Sequence, residues 1–243
     1  MGGAVLAAAR PSGTSTPTAR GRPVKPRAVV FRGKSRIDAS CAEAAYQLIK
    51  DHGGFTVEYA RPGFDSDTLK GAALYVQPGG GDVAAEVLHD MGASAVRAIR
   101  DYVAAGGRYL GLCLGAYLAG PSVDDDPTKP GIGLVRSVPQ QFLDSDASEV
   151  IPVIWLKGQR ARIYYQAGPY FSRQDGSVLA TYAKNGAPAA VITRFGSGTV
   201  CLVGPHPEAD ESWYEDEDLD CPQGAYPELG LQLIDKVMAW KRR

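Results

Sequence analysis

Three stretches of this chain put chemistry-bearing residues at the ends of apolar runs. The first is "GGRYLGLCLGAYLAG", residues 106–120, in which Cys113 stands between Gly111 and Gly115. A strand ending in Gly-x-Cys-x-Gly has the form of a nucleophile elbow, a sharp strand-to-helix turn that strains the backbone of its central residue. Glycines flank it because side chains there would collide with the neighbouring strand and helix. The turn also brings the sulfur to a helix N-terminus, where free N–H groups favour thiolate over thiol. A core cysteine in a glycine-rich turn would look the same locally, so this stretch alone leaves both readings open.

The second stretch, "CLVGPHPEAD", runs an apolar strand into His206 and Glu208. Residues two apart in extended chain point the same way, so Glu208 can orient the imidazole while its other nitrogen faces a thiol. Of the three histidines, His52 and His89 fall in or near helical segments and read as surface or packing residues. The third stretch, "VQPGGGDV", places glycines directly after a strand. An acyl-transfer site needs two N–H donors where its tetrahedral oxygen forms, and Leu114 with Gly80 or Gly81 could supply them. A phosphate cradle competes for this loop, but neither GxGxxG nor GxxxxGK[ST] occurs. A plain tight turn is the simplest alternative.

The elements that must position these residues follow from periodicity. "AVVFR", "FTVEYA", "GAALYVQ" and "RYLGLC" read as strands, while "DASCAEAAYQLIKDHG" and "ASAVRAIRDYVAAGG" read as amphipathic helices closed by glycine. "LGAYLAG" starts the next helix. This alternation predicts a parallel sheet with helices on both faces and ligands at the carboxyl ends of the strands. From Val150 to Gly204 the pattern changes to strand after strand, which predicts an added antiparallel or mixed β layer. "YPELGLQLIDKVMAWKRR" then predicts a closing helix with Leu229, Leu233, Val237 and Trp240 near one face.

The chain has 243 residues, 44% hydrophobic and 22% charged, which suits one globular α/β domain over 28–243. Residues 1–27 read as a flexible tail or the remnant of a targeting segment. Cytoplasmic residence is the expectation, with export the alternative raised by the Ala-rich start. A net charge of −1 supplies no basic field for nucleic acid or an anionic membrane, and no apolar run is long enough to cross a bilayer. The four cysteines, Cys41, Cys113, Cys201 and Cys221, never form CxxC, so no metal site is expected. A single bridge such as Cys41 to Cys221 stays open. The acidic runs "VDDDP" and "PEADESWYEDEDLDCP" lack EF-hand spacing and read as solvated loops.

At "QPGGGD", "GGRYLGLCLGAYLA", "IYYQAGPYF" and "GPHPE" the sequence resembles the class I glutamine amidotransferase superfamily. Within it, the chain looks like the amidotransferase-like domain at the N-terminus of biotin-protein ligases. The resemblance implies a flavodoxin-like α/β fold without a cofactor. It implies Cys113 as nucleophile, His206 as general base and acid, and Glu208 as its orienting residue. Tyr117, Tyr165 and Gln166 are expected in the substrate pocket, although the tyrosine-rich stretch could equally pack between sheet and loop. Glutamine-hydrolysing members commonly carry Gln four residues after the nucleophile. Here that position is Tyr117, which speaks against glutamine. Peptidase and deglycase relatives place His directly after the nucleophile, where this chain has Leu114. Biotin transfer is not expected. The expectation is a cysteine hydrolase or amidotransferase-like enzyme for a small-molecule or peptide-like amide. The alternatives are a non-catalytic binding domain and a subunit that passes ammonia to a partner enzyme.

Overall fold

A computed structural model describes residues 1–2, 24–81, 83–224 and 226–240. Most of the expected N-terminal tail lies outside the described residues. The chain alternates β1 (Arg27–Phe31), α1 (Arg36–His52), β2 (Thr56–Ala60), α2 (Ser66–Leu69), β3 (Ala72–Gln77), α3 (Ala84–Met91), α4 (Ala93–Ala104), β4 (Arg108–Leu112) and α5 (Leu114–Leu118). Short strands β5 (Ser122–Val123), β6 (Asp126–Pro130) and β7 (Gln140–Gln141) follow. Then come β8 (Glu149–Ile154), β9 (Arg160–Tyr165), β10 (Pro169–Tyr170), β11 (Ser177–Tyr182), β12 (Pro188–Phe195), β13 (Gly198–Val203), α6 (Glu211–Glu215) and α7 (Glu228–Ala239).

One nine-stranded sheet runs in the order β2-β1-β3-β4-β13-β12-β11-β8-β9. Its first five strands are parallel, and the remainder continue antiparallel. The antiparallel addition expected from the second half therefore joins the parallel half edge to edge, as one sheet. The reversal happens at the β12–β13 hairpin, whose two-residue turn begins at Gly196 with φ 58°. A two-residue hairpin turn needs positive φ to match the twist of its strands, and glycine adopts it without strain.

Helices cover both faces because the buried strands are apolar on both sides. In β1, Ala28 and Val30 join the core formed with α1 and α7, while Val29 and Phe31 join the core with α3, α4 and α5. Helix α1 starts at a reciprocal box, Ser35 Oγ accepting from the Asp38 N–H at 3.0 Å and Asp38 accepting from Ser35 N–H at 3.3 Å. It stops at Gly53, φ 72°. Helix α3, which periodicity does not predict, has no cap of its own. Asp124 caps it instead from far along the chain, accepting from Ala84 N–H at 2.9 Å and Ala85 N–H at 3.1 Å. In α7, Leu229, Leu233 and Val237 are buried as the amphipathic pattern requires.

Candidate active site

The elbow forms where β4 runs out. Leu110 and Leu112 are buried, and the next residue, Cys113, takes φ 46° and ψ −107° before α5 begins. A positive φ costs a side-chain-bearing residue about 1 to 2 kcal/mol, so the surroundings must impose it. They do so by close approach. A Cβ on Gly111 would lie 2.6 Å from the Gly115 carbonyl oxygen, and one on Gly115 would overlap the Gln77 carbonyl. Two buried phenols brace the turn from behind, Tyr109 donating to the Gly115 carbonyl and Tyr75 to Gln77 Oε1, each at 2.6 Å. The Cys113 N–H donates to the Val203 carbonyl at 2.9 Å, which ties the elbow to the end of β13. The first N–H groups of α5, on Leu114 and Gly115, have no acceptor within their own helix.

Three residues beyond β13 stands His206. Its N–H donates to the Tyr164 carbonyl at 2.9 Å, a bridge to β9 that fixes the backbone. Its Nδ1 meets Glu208 Oε1 at 2.9 Å. The imidazole is 4% exposed and the carboxylate 0%, with Glu208 Oε2 left without a partner among the described residues. Tyr164 packs edge-on against the imidazole at 5.7 Å between centroids, and Trp213 lies at 5.2 Å. Burial opposes the imidazolium, but Cys113 and Glu208, through charge and hydrogen bonding, together hold it well above the ordinary histidine range. Gly79 explains how thiol and imidazole approach. A Cβ placed there would lie 3.2 Å from His206 Cε1 and 3.6 Å from the Cys113 Cβ. Sequence reasoning took the next two glycines as candidate oxyanion donors; the first of the run is the one packed against both Cys113 and His206.

A cavity of about 410 Å³ opens over Cys113 and His206. Of the residues expected there, Gly80, Gly81, Leu114, Tyr117 and Gln166 line it. Gly80 and Gly81 have φ of 111° and 61°, conformations that glycine tolerates. The Tyr117 hydroxyl donates to the Ala167 carbonyl at 2.8 Å, and Cys113 Sγ lies 3.6 Å from the Gln166 carbonyl oxygen. Tyr165 does not line the cavity. It is fully buried, its hydroxyl donating to the Gly168 carbonyl and accepting from the Leu143 N–H, both at 3.0 Å. It braces the turn beneath the cavity from a packed position between Phe142 and Tyr182.

Other lining residues were missed by sequence reasoning. Asp124, Asp125 and Asp146 come from loops, and Trp213 from the short helix α6, none of which carries a periodic or motif signal. Cys41 comes from α1, where its apolar face reads as core, and burial followed by the charges of Glu208 and Cys113 pushes its thiol far up, so it stays protonated. The cysteines are all free thiols, so the Cys41 to Cys221 bridge does not form. Among the described residues no cluster of three His, Cys, Asp or Glu is arranged to hold a metal ion, and no helix is long and apolar enough to cross a membrane.

A family model described as the N-terminal part of biotin-protein ligase matches residues 66–145. That span holds the glycine loop, the elbow, Asp124 and Asp125, and stops before Asp146, His206 and Glu208. The biotin-protein ligase of Schizosaccharomyces pombe is 28% identical over 182 residues, 62% of this chain. The chain spans 28% of the length of that curated relative. Among solved structures, a glutamine amidotransferase superposes with a TM-score of 0.60 at 18% identity, covering 86% of this chain and 97% of that one. A GMP synthase-type protein of Thermoplasma acidophilum superposes at 0.57 with 14% identity, covering 90% and 94%. A ThuA-like protein of Bacteroides uniformis superposes at 0.55 with 12% identity, covering 93% and 95%. The chain thus resembles the biotin-protein ligase N-terminal family in sequence and carries the α/β fold of the class I glutamine amidotransferase-like proteins.

Proposed function

We propose that the chain is a cysteine-dependent hydrolase or amidotransferase-like enzyme that acts on an amide or related acyl bond through Cys113, His206 and Glu208. One observation carries this reading: a cysteine strained to φ 46° is tied by its own N–H to the strand that delivers a buried, glutamate-anchored histidine. Core cysteines have no need of positive φ or of an imidazole partner.

In this reading Glu208 holds Nδ1–H, so Nε2 takes the thiol proton and the thiolate attacks the carbonyl carbon. The tetrahedral oxygen is received by N–H groups of Leu114 and of Gly80 or Gly81. His206 returns its proton to the leaving nitrogen, the C–N bond breaks, and an acyl thioester stays on Cys113. Water then gives a proton to His206 and attacks the thioester, releasing the acid and the thiol. Tyr117 fills the place where glutamine-hydrolysing relatives keep Gln, which supports an acyl compound other than glutamine as substrate.

A second reading, a non-catalytic binding or regulatory domain, is favoured by the Gln166 carbonyl 3.6 Å from Cys113 Sγ, since a carbonyl oxygen disfavours an anionic sulfur. The likeness to part of a biotin-protein ligase supports a protein partner under either reading.

The deciding experiment is mass spectrometry of the intact protein at neutral pH. Iodoacetamide is expected to modify Cys113 faster than it modifies free cysteine, and activated esters or anilides to leave an acyl adduct that a Cys113→Ser protein lacks. Slow alkylation together with no adduct from any acyl donor would reject catalysis and leave the binding domain.

A further inference from the structure

The cavity over Cys113 also bears on the charge of what enters it, an inference that rests on the cysteine-enzyme reading above. Asp124, Asp125 and Asp146 line it, and no lysine or arginine does so among the described residues. Asp124 is committed elsewhere, to the N–H groups of Ala84 and Ala85 and to Lys129 Nζ at 3.5 Å. Asp125 and Asp146 meet neutral partners, Gln140 Nε2 at 2.9 Å and Gln141 Nε2 at 3.2 Å, and both are exposed at the mouth. Their charge reaches inward. After burial, Cys113, Tyr165, Asp125 and Asp146 all raise the Tyr117 phenol further.

The floor of the cavity offers an acceptor as well. Gln166 presents its carbonyl oxygen 3.6 Å from Cys113 Sγ, where a thiol can donate to it. When the thiol proton moves to His206, that oxygen faces an anionic sulfur and loses its donor. An N–H on the incoming molecule can replace the lost donor. His206, 4% exposed, lines the same space with Nδ1 held by Glu208, which leaves Nε2 for the reaction.

We infer that this site selects acyl compounds carrying an ammonium or guanidinium group close to the scissile carbonyl, and rejects those whose nearest charge is a carboxylate. The cation would donate to the Gln166 carbonyl and lie in the field of Asp125 and Asp146. A carboxylate in that place would meet like charges with no lysine or arginine lining the cavity among the described residues to receive it.

The test uses the whole chain with Cys221→Ser, which removes the exposed thiol while Cys41 and Cys201 stay buried. Rates of Cys113 modification by 2-bromoethylammonium, iodoacetamide and iodoacetate are measured at neutral pH and low ionic strength. Each is divided by the rate of the same reagent with 2-mercaptoethanol. The corrected ratio of cation to anion is expected to reach at least about tenfold, and to shrink severalfold at about 0.5 M salt. It should fall toward one in the double variant Asp125→Asn/Asp146→Asn. Asp146→Lys, on an exposed loop, should reduce it independently. A ratio near one, or one untouched by these substitutions, while iodoacetamide still modifies Cys113, would overturn the charge inference and spare the catalytic reading. No modification by any of the three reagents would overturn both.

Discussion

The parallel and antiparallel halves of the sheet contribute to the same cavity in different ways. In the parallel half, β3, β4 and β13 end side by side and deliver the glycine loop, Cys113 and His206 from their carboxyl ends. In the antiparallel half, β9 holds the His206 backbone through Tyr164 and leads into the Gln166–Ala167 turn that faces the thiol. The candidate site residues thus come from short motifs whose own backbone dictates the geometry. Their environment comes from pairings between residues far apart in the chain. The difference teaches that a strained elbow cysteine is made locally, whereas the surface that faces it is assembled over long range.

The sharpest way to break this comparison is to disturb one glycine in each half. Gly115→Ala drives a Cβ into the Gln77 carbonyl and should cost about 3 kcal/mol, lowering Tm by about 6 to 12 °C in a chain of this size. Gly158, in the β8–β9 connection, has open space around its Cβ position and only its φ of 82° to protect, so Gly158→Ala should cost about 1 kcal/mol. Equal losses in thermal denaturation would show that the elbow is no more constrained than an ordinary turn.

Next in size is the contribution of His206 in the proposed role of base. His206→Ala should slow alkylation of Cys113 at neutral pH by about 10²-fold, whereas Tyr164→Phe, which removes only the hydroxyl paired with Ser148 Oγ at 2.7 Å, should leave the rate within a few-fold. If the two variants react alike, chemistry does not reside in the parallel half.

The linkage between charge and folding gives a third measurement. Because the folded state holds His206 well above its ordinary value, through Cys113 and Glu208 against the opposing effect of burial, its stabilisation is fully present below about pH 6.5. It is lost as pH rises through the raised folded value. The urea midpoint should therefore fall as pH rises above about 6.5, and Glu208→Gln should flatten that fall while costing about 1 to 2 kcal/mol at pH 6. A wild-type midpoint constant across this range would contradict the coupling.

The smallest expected effect sharpens the role of the antiparallel half. Tyr117→Phe removes the donor to the Ala167 carbonyl and should cost about 1 kcal/mol. Amide hydrogen exchange should rise at Ala167 and Gly168 without a comparable rise in β4. A uniform increase would mean that the turn and the strand open together.

How much of this was legible beforehand depends on how local each feature is. Strand and helix alternation, the elbow between Gly111 and Gly115, and the His206-x-Glu208 pair follow from periods of a few residues; the alternating fold forms, and His206 Nδ1 meets Glu208 Oε1 at 2.9 Å. Helix α3 was not legible because its cap is Asp124, 40 residues away. Tyr165 is expected in the pocket on the strength of the tyrosine-rich stretch and the resemblance, with packing between sheet and loop as the equal alternative, and packing is what the structure shows. In a strand, successive side chains point to opposite faces, and its hydroxyl is spent bracing Gly168 and Leu143. Gly79 was passed over because three consecutive glycines look alike until His206 and Cys113 are packed against one of them.

By itself the sequence determined the class of fold and singled out Cys113, His206 and Glu208 as the candidate trio, because backbone sterics and side-chain periodicity act between near neighbours. Only the tertiary structure decided that the antiparallel strands extend the same sheet. It alone buried Glu208 beneath His206, turned the Gln166 carbonyl toward the thiol, and placed Asp125 and Asp146 at the mouth with no basic side chain lining the cavity among the described residues. Those features depend on strand order and loop closure over tens of residues, and charge acts through space rather than along the chain.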